Sequence, residues 1–338
     1  MLENIANAFV LLGNFLVVPA LTYGCQLALG ALGVTLVYGI LRFSNFAHGE
    51  IMSFGAMVSI LVMWGFQSAG ISIQPLPTVL LALPLGVVAT IALCLVLDRS
   101  VYRFYRTRRS PPVILLIASI GVMFLINGVI RFIIGPGDRV VSDGARFVFT
   151  ARDFKHFSGL NEGLAFKASQ GITIVTAVIL VVALFWFLNR TRTGKSMRAY
   201  SDNEDLALLS GINPERVVLV TWVLAGTLAA IAGTLYGLDK SYKPFTFLQL
   251  LLPIFAAAIV GGLGNPLGAI AGGFVIAFSE VGITFAYRKF VSYLVPESWA
   301  PEGLVQLLST DYKFAVSFAI LVLVLVISPT GIFKGKSL

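Results

Sequence analysis

The sequence predicts an all-α, polytopic membrane protein of about 8–10 transmembrane helices, and three observations carry that expectation. Hydrophobic residues make up 57% of the 338 and charged residues 12%, with a mean hydropathy of +0.91, which leaves too little polar surface for a water-soluble globule. Apolar runs of about 20 residues, the length that crosses a hydrocarbon core, recur along the chain. The Lys and Arg residues gather between these runs, so the net charge of +8 reads as a set of topology determinants rather than a nucleic-acid surface.

Taken in order, the chain carries only Glu3 as a charged residue before Arg42, so it lacks the basic start of a signal peptide. The N-terminus is expected to be retained, as a membrane segment or an interfacial helix leading into the first span. Spans are expected near 20–41, 49–67, 77–97, 112–134, 170–189, 216–238, 249–262, 265–286 and 311–327, about nine in all. The segment 5–19 would add a tenth, and 249–262 is short for a full crossing. Arg99, Arg103, Arg106, Arg108 and Arg109 crowd one connection, and Arg190, Arg192, Lys195 and Arg198 another. Two spans separate them, so one orientation places both in the cytoplasm, and the tail with Lys334 and Lys336 joins them after four further crossings. The loop 135–169, with Asp138, Asp143, Asp153 and Glu162 among its basic residues, falls opposite as a periplasmic loop. Residues 1–338 thus read as a single membrane domain. Cys25 and Cys94 sit inside apolar runs with no metal-ligand spacing, so they read as core residues rather than a disulfide or zinc site.

The costliest interruption lies between Leu36 and Ala56, where Arg42, Asn45, His48 and Glu50 fall within nine positions between two long apolar runs. In hydrocarbon every freed backbone group and charge needs an internal partner, so such a break sits at a membrane face or lines a protein-enclosed cavity. Gly39, Gly49 and Gly55 permit a bend or a close approach, and Asn45 is the predicted N-cap of the following helix. Broken or short helices are therefore expected near 36–50 and 249–268, with Arg42 and Glu50 holding the first break electrostatically. The competing reading is a cytoplasmic turn. An ion-coupled relay through Arg42, His48 and Glu50 is a further one, but it wants acids in mid-span, and the spans are nearly free of them.

Gly261 to Gly273 is glycine-rich without a strand and helix around it, which argues against a phosphate cradle. Gly264, Gly268 and Gly272 recur every fourth residue and are expected to form one small-residue stripe on a helix, with Asn265 and Pro266 opening it. Gly194-Lys195-Ser196 and Gly335-Lys336-Ser337 echo a Walker A ending, but Asn189 and Thr330 stand where it requires glycine, so this chain is not expected to bind ATP. Ser201 to Arg216 reads as a short helix held crosswise between spans. Ser201 and Glu204 are its expected capping box, Gly211 its C′ residue, and Asn213-Pro214 the cap of the next helix. Its Leu206, Ala207, Leu208 and Leu209 cannot all be hidden, which leaves apolar surface for a partner.

Together, Asn45-Phe46-Ala47-His48-Gly49-Glu50, the Arg198 to Arg216 segment with Gly211-Ile212-Asn213, Gly261-Gly262-Leu263-Gly264 before Pro266-Leu267-Gly268, and the ending Pro329-Thr330-Gly331-Ile332-Phe333 resemble the permease subunits of bacterial branched-chain amino acid ABC importers, the LivH-like group. The resemblance runs nearly end to end; the long 135–169 segment, rich in Phe and charge, departs from it. It implies a multi-pass inner-membrane permease, itself no enzyme and with no cofactor or metal. The implied partners are a second, LivM-like permease, two ATPase subunits that carry ATP and Mg, and a periplasmic solute-binding protein. Relatives also carry urea, amides or aromatic acids. The segment 196–215 is implied to be the cytoplasmic coupling segment, with Asp202, Glu204, Asp205, Ala207, Leu208 and Gly211 at the ATPase. The residues expected to border the substrate path are Tyr38, Asn45, Phe46, His48, Gly49, Glu50, Gly264 and Asn265.

Overall fold

The computed structural model describes residues 2–141, 143–295, 303, 305–328 and 330–333. Among them, nine helices are long and apolar enough to cross a membrane. These are α1 (Glu3–Leu41), α2 (His48–Ser68), α3 (Val79–Thr107), α4 (Pro112–Ile134), α6 (Ala168–Arg190), α9 (Pro214–Lys240), α10 (Pro244–Gly261), α11 (Pro266–Thr284) and α13 (Thr310–Ile327). Four shorter helices, α5 (Ala151–Ser158), α7 (Arg192–Asp202), α8 (Glu204–Leu209) and α12 (Arg288–Leu294), lie between them. The protein is an all-α multi-pass membrane protein, as its sequence predicts.

Three span boundaries differ from expectation for physical reasons. The 5–19 segment is no separate crossing: it runs through a π turn at Gly13–Val17 into one 39-residue helix, because no proline or charge interrupts it before Pro19 and that proline falls in the first turn of the next segment. Pro244 starts α10 five residues before the expected run, giving 18 residues, enough to cross. Arg99, Arg103 and Arg106 are not in a loop but on the last turns of α3, continued past Asp98 by another π turn.

The centre of the molecule is α1, in which sixteen consecutive residues from Thr22 to Val37 are buried. A helix that is apolar all round belongs inside a bundle. It packs against α9, α10, α11 and α6, and α2 and α10 fill the remaining inner ring, while α6 and α13 present most of their surface outward. Small residues set these close crossings. Gly261 and Gly268 approach so tightly that a methyl on either would overlap the other's carbonyl, and Gly272 meets the Ala257 carbonyl. Gly264, expected in the same stripe, instead lies in the turn before α11 at φ +83°. Gly261, the last residue of α10, faces Gly268 of α11 across that turn.

Parity and contacts agree on which connections share an end. Arg103 and Arg106 both reach Glu215 at the start of α9, at 3.6 and 3.5 Å, so the two basic connections lie together. Ile332 donates to the Val260 carbonyl, bringing the end of the described chain to that same side; Pro329 and the tail with Lys334, Gly335, Lys336 and Ser337 lie outside the described residues. The loop 135–169 lies at the far end, where β1 (Phe147–Phe149) and β2 (Phe166–Lys167) pair antiparallel around α5. Glu162 N and Ala165 N donate to Asn7 and Asn14 at 2.9 and 3.0 Å, so the N-terminus is at that far end too.

Candidate functional site

The break after α1 is neither a continuous helix nor a tight turn: a non-helical stretch folds back into the bundle. Arg42 ends α1 in the left-handed region at φ +56°, its N–H on the Tyr38 carbonyl at 2.9 Å. From this exposed residue the chain folds back beside α1, so that the His48 ring sits against Gly33. Gly33 is eight residues before Leu41, and at 1.5 Å rise per residue the returning segment reaches about 12 Å into the bundle before α2 begins. Phe43, Asn45, Ala47, His48, Gly49 and Glu50 are all buried.

Side chains from α3, α4 and α10 meet this extended stretch. Asn45 Oδ1 accepts from Ala47 N and from the Tyr102 hydroxyl of α3, both at 3.1 Å. Asn45 is therefore not the N-cap of α2, as its type suggested. The cap position is Ala47, with no side-chain bond, and Asn45 stabilises a turn two residues earlier because its oxygen is shared with Tyr102. Phe46 N donates to Ser119 Oγ of α4 at 3.1 Å, and its ring stacks on Phe255 of α10 with centroids 5.0 Å apart. Gly49 lets α10 pass, since a Cβ there would come within 2.7 Å of the Phe247 carbonyl. Glu50, fully buried, accepts from Asn127 Nδ2 of α4 at 2.9 Å, and Ser53 one turn on shares a 3.1 Å hydrogen bond with Tyr242. Arg42 and Glu50 do not pair with each other: Arg42 donates to the Ser201 carbonyl. Among the described residues His48 Nε2, Asn45 Nδ2 and Glu50 Oε2, three buried polar atoms along this stretch, have no hydrogen-bond partner.

The remaining expected path residues sit apart. Tyr38 is in the last turn of α1 and half-buried. Gly264 and Asn265 form the turn before α11, where Asn265 caps Leu267 N and Gly268 N at 3.1 and 3.2 Å, as expected, and donates to the Phe333 carbonyl at 3.4 Å. No described hydrogen bond joins this turn to the break.

At the basic end, Asn203 rather than Ser201 caps α8, accepting from Leu206 N at 3.0 Å. The Ser201–Glu204 capping box does not form because α7 runs through Ser201, whose hydroxyl is drawn to the Gly39 carbonyl at 2.9 Å, while Glu204 accepts from the Tyr200 hydroxyl at 2.6 Å. Burial, and then the Glu204 carboxylate, push the Tyr200 phenol above its ordinary range. Gly211 at φ +79° and Asn213, which accepts from Glu215 N and Arg216 N, end α8 and start α9 as expected. Leu206, Leu208 and Leu209 are exposed, 85% for Leu209, with Asp202, Glu204, Asp205 and Gly211 beside them, whereas Ala207 is turned inward.

Several side chains that hold the break were missed at the sequence level. Ser119, Asn127 and Trp222 lie in apolar runs and Tyr102 among the arginines that follow one, and only the polarity of Asn127 in such a run was a usable signal. A second buried acid, Glu280 in the 265–286 run, pairs with Lys313 at 3.6 Å and accepts from Ser317; Lys313 also stands 3.7 Å over the Tyr23 ring. At the far end a cavity of about 600 Å3 is lined by Arg146, Lys167, Asp239 and Lys240. No group of His, Cys, Asp and Glu among the described residues is arranged to hold a metal ion.

A family model described as branched-chain amino acid transport system / permease component matches residues 16–325. Over 314 residues the chain is 31% identical to the high-affinity branched-chain amino acid transport system permease protein LivH of Escherichia coli (strain K12), covering 92% of each. The permease protein BraD of Pseudomonas aeruginosa is 28% identical over 318 residues, 93% of this chain and 94% of its own. The fructose import permease protein FrcC of Rhizobium meliloti is more distant, 24% identical over 74% of this chain and 76% of its own.

Proposed function

The chain belongs to the branched-chain amino acid transport system permease family, and from that premise we propose that it is the membrane-spanning subunit of an ATP-driven importer for branched-chain or other hydrophobic amino acids. It is a transport subunit and not an enzyme. The basic end is cytoplasmic and the loop 135–169 periplasmic, in the inner membrane of a bacterium. A second, LivM-like permease completes the path, two ATPase subunits carrying ATP and Mg dock at the exposed leucines of α8, and a periplasmic binding protein delivers the substrate to the far end.

The observation that carries this proposal is the break itself: a polar, extended stretch folded inside the bundle and bonded at its start to the segment that displays those leucines. A folded-back stretch with unsatisfied polar atoms is costly unless it acts. In this proposal it borders the substrate path, with the Phe46–Phe255 stack as its apolar barrier. An amino acid crosses through weak, transient contacts, and selection rests with the binding protein. The related readings, import of urea, short amides or aromatic acids, differ only in that delivery step. The buried Glu50 and Glu280 leave an ion-coupled carrier as the opposing class.

The complete complex in vesicles with the binding protein provides the test. ATP-dependent uptake of leucine, isoleucine or valine, with urea, a short amide and an aromatic acid taken up far more slowly, is the expected result. Uptake driven by a proton or sodium gradient without ATP hydrolysis would reject the proposal.

A further inference from the structure

Resting on that proposal, we infer that Ser201 and Arg42 form a reciprocal clasp through which movement of the α8 segment reaches the break. The last four carbonyls of any α-helix lack an intrahelical partner, and here a residue in the last turn of α7, just ahead of α8, supplies one of them. Ser201 Oγ donates to the Gly39 carbonyl at 2.9 Å, and the Arg42 guanidinium donates back to the Ser201 carbonyl. These bonds join residues 162 and 159 positions apart, and Ser201 is fully buried. The clasp grips the chain where it leaves α1 and turns inward, on a non-glycine residue at φ +56°, a conformation that an L side chain holds only when its surroundings fix it.

A second contact runs from the same end to the middle of the break. Arg106 bridges Glu215 to Asp98, Asp98 accepts from Trp222 Nε1 at 2.8 Å, and the Trp222 ring stacks on Tyr102, whose hydroxyl holds Asn45. This second route anchors the break to α3 and α9. The clasp ties its start to the end of α7, ahead of α8, so the start and the middle of the break are fixed to different parts of the cytoplasmic face. Displacement of α8 against α9 then changes the span between Arg42 and Asn45, moving Phe46 against Phe255.

Ser201 and Arg42 are positioning residues in this account, and the readout is uptake per ATP hydrolysed rather than uptake alone. In the complete complex, Ser201→Ala removes the hydroxyl, and Arg42→Gly removes the guanidinium while favouring the left-handed backbone. Each is expected to retain the ATPase subunits and to lower uptake per ATP roughly two- to tenfold, the range of one hydrogen bond. The double variant should lose less than the product of the two, and Arg42→Lys, which keeps a donor, should recover part of the loss. Unchanged uptake per ATP in both single variants would overturn the clasp. Loss equal in Arg42→Lys and Arg42→Gly would also overturn it. Absence of ATP-driven uptake in the unaltered complex would instead reject the proposed function.

Discussion

The folded-back break can be tested through one methyl group. A Cβ on Gly33 would come 2.5 Å from His48 Cε1 and 2.9 Å from Nε2, closer than carbon and nitrogen atoms approach, and both residues are buried. Forcing a methyl into a packed site costs roughly 1–3 kcal/mol, and Ala gains back about 1 kcal/mol over Gly in a helix. Gly33→Ala alone is therefore expected to destabilise by roughly 0–2 kcal/mol. His48→Ala alone leaves a cavity where the ring was. Combined, each substitution relieves the other, so the coupling energy of the double-mutant cycle should be about 1–3 kcal/mol in the favourable direction. SDS-induced unfolding of the purified chain in mixed micelles gives the four stabilities. Additivity within about 0.3 kcal/mol would mean that His48 does not lie against Gly33, and the depth assigned to the break would fall with it.

Three further expectations follow from other parts of the molecule. Leu208→Asp, which puts a charge on the exposed apolar face of α8, should abolish ATP-driven uptake; a variant that assembled with its ATPase and transported normally would remove α8 from the docking site. Single cysteines near Arg106 and Arg192, in a chain lacking Cys25 and Cys94, should label only after the inner face is opened, and those near Arg146 and Lys167 from outside; the reverse pattern would invert the protein. Burial opposes ionisation of Glu162, but the Lys289 and Tyr293 bonds, at 2.7 and 2.6 Å, outweigh it and hold the carboxyl below its ordinary 4.5. Because the folded value is lowered, this tether is complete above the ordinary value and is lost as pH falls through the lower one. Protection of the amides in residues 161–165 and 288–294, taken relative to their intrinsic exchange at each pH, should thus be steady from about pH 8 to 5 and fall only as the pH drops below the ordinary carboxylate value; a fall between 7 and 5 would show that another group holds the loop.

Much of the architecture was legible because the membrane imposes it. Spans declare themselves by length, and Pro112, Pro214, Pro244 and Pro266 mark where four of them start. The cost of Arg42, Asn45, His48 and Glu50 between apolar runs pointed to the break, and the surplus of leucines pointed to the exposed face of α8. What stayed hidden depends on partners distant in sequence. Asn45 looked like a helix cap until Tyr102 claimed its oxygen, and Ser201 like another until Gly39 claimed its hydroxyl. Local spacing describes which bonds a side chain is able to make nearby, while tertiary packing decides which one it makes. Glu280 escaped notice for the same reason: its partner Lys313 is 33 residues away, at the start of a different span.

The central claim is that the segment between Arg42 and Glu50 moves with the ATPase cycle, and the reactivity of one cysteine there tests it most directly. Ser44 is half-buried in the break, so Ser44→Cys in a chain lacking Cys25 and Cys94 reports on its exposure within the assembled transporter. The complex is compared without nucleotide and with ATP trapped on hydrolysis-deficient ATPase subunits, against a Leu209→Cys control in the free chain. The labelling rate at position 44 is expected to change at least about fivefold, the factor that corresponds to one hydrogen bond of about 1 kcal/mol. Equal rates in the two states, with the control labelling freely, would contradict it.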